Sequence, residues 1–167
     1  KKPIAIRVPS NGVVHTTEDV DEEYSYTPKY KVAHEGSQVA IIAAGSFYQK
    51  GENVAHLLAE KGIDATLINP RYLHAVDAEA LESLKARHQL VVTLEDGCKD
   101  GGFGERIASY YGTSDMKVLV CGVKKNLYDR FDHQQLLADN RLLANQIADD
   151  ILNIIKKATI NLNNMFS

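Results

Sequence analysis

Val91-Val92-Thr93-Leu94-Glu95-Asp96-Gly97-Cys98-Lys99-Asp100-Gly101-Gly102-Phe103-Gly104-Glu105 sets an apolar strand against an acidic turn, a glycine cluster and the start of a helix. Backbone N–H groups at such a helix start can cradle an anion. The spacing, however, is neither Gly-x-Gly-x-x-Gly nor a Gly-Lys-Ser/Thr loop. Glu95, Asp96, Asp100 and Glu105 would also crowd a phosphate with like charge. At about 6 Å each pair costs roughly 3 kcal/mol at an effective dielectric of about 20. The stretch therefore predicts a packing joint, with Gly101, Gly102 and Gly104 letting a helix start approach a sheet edge or a partner subunit. Its carboxylates are expected to cap orphan N–H groups there.

Working outward, apolar strand patterns alternate with helical ones. An opening strand at Ile4–Val8 ends at Pro9-Ser10-Asn11-Gly12, and the acidic run from Thr16 to Thr27 reads as a connector. An edge strand is expected at Tyr30–Ala33, and a strand buried on both faces at Gln38–Ala44. A helix follows over about Phe47–Lys61, with Ser46 as its N-cap and Gly62 as its C-cap. Next come a strand at Ala65–Ile68, a helix from the N-cap Asp77 to Arg87, and a strand at Leu90–Leu94. The remaining expectations are a helix at Phe103–Tyr111, a strand at Lys117–Cys121, a helix at Asp139–Lys157 and a frayed tail at 159–167. Strands and helices alternating at this spacing need right-handed crossovers. The expected fold is α/β: a three-layer, mostly parallel five-stranded sheet with helices on both faces.

The 167 residues carry 19 Lys plus Arg against 22 Asp plus Glu, a formal charge of -3 that argues against a phosphate-neutralising nucleic-acid surface. No apolar run reaches the roughly 18 residues of a membrane span, so a cytoplasmic protein is expected. Two cysteines, Cys98 and Cys121, make no disulfide framework, and no two histidines have metal-closing spacing. No Gly-x-Ser-x-Gly elbow supports a serine hydrolase. Asn69-Pro70-Arg71-Tyr72 follows a strand end, where ligands gather in open α/β sheets; Arg71 is read as holding this loop through carbonyl contacts or as reaching a partner. Tyr48, Tyr72, Tyr110 and Tyr111 suit either an interface or a half-buried core. Lys1 opening straight into strand periodicity points to a piece of a longer polypeptide.

These residues resemble the thiamine-diphosphate enzymes of the transketolase superfamily, most closely the 1-deoxy-D-xylulose-5-phosphate synthase branch. Thr93-Leu94-Glu95-Asp96 with Gly101-Gly102-Phe103-Gly104 matches the most recognisable motif of that superfamily's C-terminal domain. Val39 to Gly45, Asn69-Pro70-Arg71-Tyr72 with Asp77, and Cys121-Gly122 followed by Gln135-Leu136-Leu137 continue the likeness. The resemblance implies four parts: a terminal strand of the pyrimidine-binding domain at 1–12, a connector at 13–35, the transketolase C-terminal domain at 36–158, and a tail at 159–167.

It further implies that the complete enzyme condenses pyruvate with glyceraldehyde 3-phosphate and releases CO₂, with thiamine diphosphate as the electron sink. The cofactor and Mg²⁺ would be held by upstream domains. This chain would bind neither, hold no metal, supply no catalytic residue, and serve a homodimer structurally through Arg71, Glu95, Asp96 and the three glycines. Arg7 matches an arginine of the family's substrate-binding motif, whereas Ser10 replaces its phosphate-gripping arginine, a loss of about 1.5–3 kcal/mol of binding. Arg130-Phe131-Asp132-His133 departs from the family's His-Gly-Ser-Gln, so no role passes to that histidine. The alternatives are the same domain of a transketolase or a 2-oxo acid dehydrogenase beta-type subunit, and a stand-alone binding or oligomerisation module.

Overall fold

The computed structural model describes Pro3, Ala5 and residues 29–165. Runs of β-branched and aliphatic residues form five strands: β1 (Lys31–His34), β2 (Gln38–Ala43), β3 (Thr66–Asn69), β4 (His88–Cys98) and β5 (Lys117–Val123). Their order across the sheet is β1-β3-β2-β4-β5, parallel except for β1, which runs antiparallel to β3. The helices are α1 (Tyr48–Ala59), α2 (Ala78–Leu84), α3 (Phe103–Tyr111), α4 (His133–Asp139) and α5 (Ala144–Met165). This is the mostly parallel α/β sheet that the alternating pattern predicts.

Strand alternation sorts the central residues into two cores. Val39, Ile41 and Ala43 of β2 with Leu90, Val92 and Leu94 of β4 face α1 and α5, where Val54, Leu58, Ile147 and Ile151 close the layer. Ala40, Ile42 and Val91 face the other way, onto Leu81 and Leu84 of α2 and Phe103, Ile107 and Tyr111 of α3. Each fully buried aliphatic side chain contributes about 1.5–3 kcal/mol of hydrophobic free energy, so both layers are needed. Because β2 and β4 are apolar on both sides, they read as continuous hydrophobic runs.

Helix boundaries follow local chemistry. Asp77 caps α2, its Oδ1 accepting from the Ala80 N–H at 3.1 Å, while its Oδ2 accepts from the Tyr30 N–H at 2.9 Å. Gly62, at φ +80°, ends the turn after α1. Three expectations fail here. The helix expected at Asp139–Lys157 is two helices. Asp139 ends α4, Arg141 takes φ +56°, and α5 starts at Ala144 and runs through Met165, past the onset of the expected tail. The missed signal is Asp132-x-x-Gln135, a capping pattern in which Asp132 Oδ1 accepts from the Gln135 N–H at 2.8 Å. Strand β4 does not stop at Leu94 but resumes pairing after a register shift, at Cys98 opposite Val123. Helix α2 ends at Leu84 rather than Arg87. The expected opening strand, the acidic connector as far as Thr27, Arg7 and Ser10 lie outside the described residues.

Candidate functional site at the carboxyl end of the sheet

The sheet reverses its direction of growth between β2 and β4, and their carboxyl ends form the edge where α/β folds bind ligands. Here the chain fills that edge with its own side chains. Thr93 and Glu95, two residues apart on β4, lie on the α3 side. The Glu95 carboxylate, 8% exposed, accepts from the Phe103 N–H through Oε2 and from the Gly104 N–H through Oε1, both at 2.9 Å. Glu105 Oε2 reaches back to the Gly101 N–H at 2.7 Å, and the Gly102 N–H donates to the Lys99 carbonyl at 3.1 Å. Every N–H from Gly101 to Gly104 thus has an acceptor supplied by the chain. No donor is left over for a diphosphate.

The glycines are required by distance. A Cβ on Gly102 would stand 2.6 Å from both the Cys98 carbonyl oxygen and Glu95 Oε2. One on Gly104 would stand 2.4 Å from Thr93 Oγ1 and 2.5 Å from Val120 Cγ1. Gly101 takes φ +75°, the left-handed region that favours glycine. The cost of this close packing falls on Thr93, fully buried with no hydrogen-bond partner for its Oγ1.

Asp96 lies beside this joint and accepts a hydrogen bond from the Ser46 hydroxyl at 2.5 Å, tying the carboxyl end of β4 to that of β2. Ser46 is therefore not the expected N-cap. It sits inside a single 3₁₀ turn, Gly45–Phe47, that precedes α1, so its hydroxyl is turned toward Asp96 instead. Arg71, at φ +53°, donates from Nη2 (3.2 Å) and Nε (3.4 Å) to the Lys29 carbonyl, and its own N–H bonds Asn69 Oδ1 at 3.0 Å. The structure brings Glu95, Asp96 and the three glycines to one place, and Arg71 lies on the same sheet edge toward β1. Tyr111 is core, donating to the Leu81 carbonyl at 2.6 Å; Tyr110 donates to Glu82 at 3.1 Å.

Lys50 lies beside this edge, on the α1 side of the sheet. Its ammonium lies 3.9 Å from the centroid of the Phe47 ring, buried and without a hydrogen-bond acceptor. Burial pulls its pKa down to about 8. The Phe47–Lys50 spacing of one helical turn is the signal that would have found it. Nearby Cys121 is pushed up to about 12, chiefly by burial, so its thiol is inert. Among the described residues no group of three or more His, Cys, Asp or Glu is placed to hold a metal ion. Among the described residues none fits thiamine diphosphate with Mg²⁺, because the one glycine-rich helix start there is filled by Glu95 and Glu105.

A family model described as the transketolase C-terminal domain matches residues 28–147. The chain belongs to this family. Among curated relatives, it is 35% identical over 157 residues to the 1-deoxy-D-xylulose-5-phosphate synthase of Rippkaea orientalis, covering 91% of this chain and 24% of the relative. It is 30% identical over 154 residues to the synthase of Alkaliphilus oremlandii, covering 89% and 24%. This transketolase C-terminal domain chain spans about a quarter of the length of the curated relatives it matches. Among solved structures, a split gene transketolase described as an inactive beta4 tetramer superposes with a TM-score of 0.69 at 25% identity, over 81% of this chain and 44% of that one. A Pichia stipitis transketolase variant shares the fold with a TM-score of 0.53 at 10% identity, over 76% and 18%. Among the described residues no helix is long and apolar enough to cross a membrane.

Proposed function

We propose that this domain is the structural C-terminal part of a cytoplasmic thiamine-diphosphate-dependent transferase of the 1-deoxy-D-xylulose-5-phosphate synthase type. The full-length enzyme would condense pyruvate with glyceraldehyde 3-phosphate and release CO₂. The relatives at 30–35% identity support this choice of reaction. The observation that carries the structural role is the occupation of the Gly101–Gly104 N–H groups by the chain's own carboxylates and carbonyl, which leaves no anion cradle. Cofactor and Mg²⁺ then belong to upstream domains, of which residues 1–12 are the terminal strand and 13–35 the connector. Arg71, Glu95, Asp96, Gly101, Gly102 and Gly104 set the shape of an interface edge in a homodimer, and Arg7 contacts substrate from the preceding domain.

The test is turnover by the full-length polypeptide with pyruvate and a panel of aldehydes in the presence of the cofactor. CO₂ release that depends on glyceraldehyde 3-phosphate is expected, and the 167-residue chain alone should be inactive. The likeness to a split gene transketolase favours a second reading, transfer of a two-carbon unit between sugars. Turnover of a ketose phosphate donor with an aldose acceptor, without CO₂ and without pyruvate, would select it.

A further inference from the structure

The loop 124–132 that follows β5 is built unlike the joint after β4. It presents Leu127 at 99% exposure and Phe131 at 56%, with Tyr128 packed edge-on against Phe131 at a centroid distance of 6.0 Å. The loop is nonetheless held in shape. The Lys124 N–H donates to Asn140 Oδ1 at 2.8 Å, the Lys125 N–H to Asp100 Oδ2 at 3.1 Å, and the Tyr128 hydroxyl to the Lys124 carbonyl at 2.9 Å. The same loop carries Lys124, Lys125 and Arg130, none in an ion pair among the described residues. Of the two acids in the loop, Asp132 is committed to capping α4. A fixed loop offering large apolar groups beside three cations with no ion-pair partner among the described residues is the surface an acidic-rimmed apolar partner would cover.

The topology says which partner can reach it. Strand β1 is antiparallel, with Lys31 opposite Asn69, so the polypeptide arrives at Lys29 on the carboxyl edge of the parallel strands. The loop leaves β5 on that same edge, after Val123. Four strand spacings separate β1 from β5, about 19 Å, less than the width of a small domain. The polypeptide thus enters the described domain, at Lys29, on the same edge from which the loop projects.

We infer that loop 124–132, through Leu127, Tyr128, Phe131 and its cations, is the docking surface for an acidic, apolar-centred face of the cofactor-binding portion upstream on the same polypeptide. This rests on the reading above that such a portion precedes the domain. The relatives are about four times the length matched here, which leaves ample chain to form that face.

Hydroxyl-radical footprinting of the full-length polypeptide tests it, with the same protein in urea as reference. Leu127 and Phe131 are expected to be modified at least five-fold more slowly in the native protein, and zero-length carbodiimide coupling should join Lys124 or Lys125 to carboxylates upstream within one polypeptide. In the variant Lys124→Glu/Lys125→Glu/Arg130→Glu the modification rates should rise at Leu127 and Phe131 and stay low at Leu90 in the core. Native rates equal to those in urea overturn the proposal. So does protection that vanishes on dilution together with coupling between two copies, which would mean that a second molecule covers the loop. Protection with intramolecular coupling but no CO₂ released from pyruvate supports the docking surface and overturns the functional reading.

Discussion

Two neighbouring strands, β4 and β5, end at the same edge of the sheet and are finished in opposite ways. After β4 the chain turns back on itself and fills a helix start with Glu95 and Glu105, so that its polar groups are matched internally. After β5 it projects Leu127 and Phe131, in a loop whose Lys124, Lys125 and Arg130 have no ion-pair partner among the described residues. One end is satisfied within the domain; the other has apolar area and charge left over. In a domain that spans about a quarter of its relatives' length, this contrast separates what holds the fold from the surface we propose as a docking site.

The largest effect is expected where the closed end is opened. Glu95→Ala leaves the Phe103 and Gly104 N–H groups buried without acceptors and should cost about 3 kcal/mol in urea unfolding. Gly104→Ala forces a methyl group onto Thr93 and Val120 and should cost a similar amount, about 2–3 kcal/mol. A loss below about 1 kcal/mol in both would mean that the joint carries no stability. Thr93→Val should go the other way, gaining roughly 1 kcal/mol, because it replaces a buried unpartnered hydroxyl with a methyl group of similar shape. A loss in that variant would reveal a partner for the hydroxyl.

Lys50→Met, on the other side of the same edge, sharpens the comparison through pH. The native fold holds the Lys50 pKa near 8, below its unfolded value of 10.5, so charged Lys50 opposes folding at pH 7 and the opposition fades between pH 8 and 10.5. The variant should therefore be more stable than the native chain by about 1 kcal/mol at pH 7, a figure reduced for partial solvent screening, and the gain should shrink by pH 10. A gain independent of pH would assign it to packing alone.

His88, at the opposite end of the sheet, gives a smaller effect on the acid side. Its Nδ1 donates to the Leu84 carbonyl at 3.0 Å, so the bare Nε2 accepts from the Thr66 hydroxyl at 2.7 Å. Burial lowers its pKa, the folded state prefers the neutral ring, and its contribution is in place above the unfolded pKa of about 6.5 and lost as pH falls from there through the lower folded pKa. Comparing the pH dependence of unfolding for the native chain and His88→Gln should remove a slope below pH 6.5. Least affected should be the stability of the domain carrying Leu127→Asp/Phe131→Asp, within about 0.5 kcal/mol in urea, since neither side chain is buried.

Much of the fold is legible because the central strands are apolar on both faces and the helices carry one apolar stripe; no tertiary information is needed to see Val39–Ala43 or Val91–Leu94. Glu95 was readable as a cap because acids beside glycines at a helix start have few other uses. That it spans both the Phe103 and the Gly104 N–H groups was not readable, since the arrangement depends on how closely α3 approaches β4. The split between α4 and α5 was missed because Leu143, Ile147, Ile151 and Ile154 keep helical spacing whether or not the chain breaks at Arg141. Lys50 is hard to read because a lysine in the first turn of a helix ordinarily points to water; its spacing from Phe47 is local, but only the fold buries it near Cys121.

Asp77 has a consequence of a mechanical kind. One oxygen fastens the start of α2 and the other the amide of Tyr30, two residues before Val32 pairs with Ile68. Tension transmitted along the polypeptide from residues before Lys29 is therefore shared by the Arg71 guanidinium on the Lys29 carbonyl and by Asp77 at the start of a helix before it reaches the sheet, and these contacts serve as strain relief between the domain and whatever pulls on it.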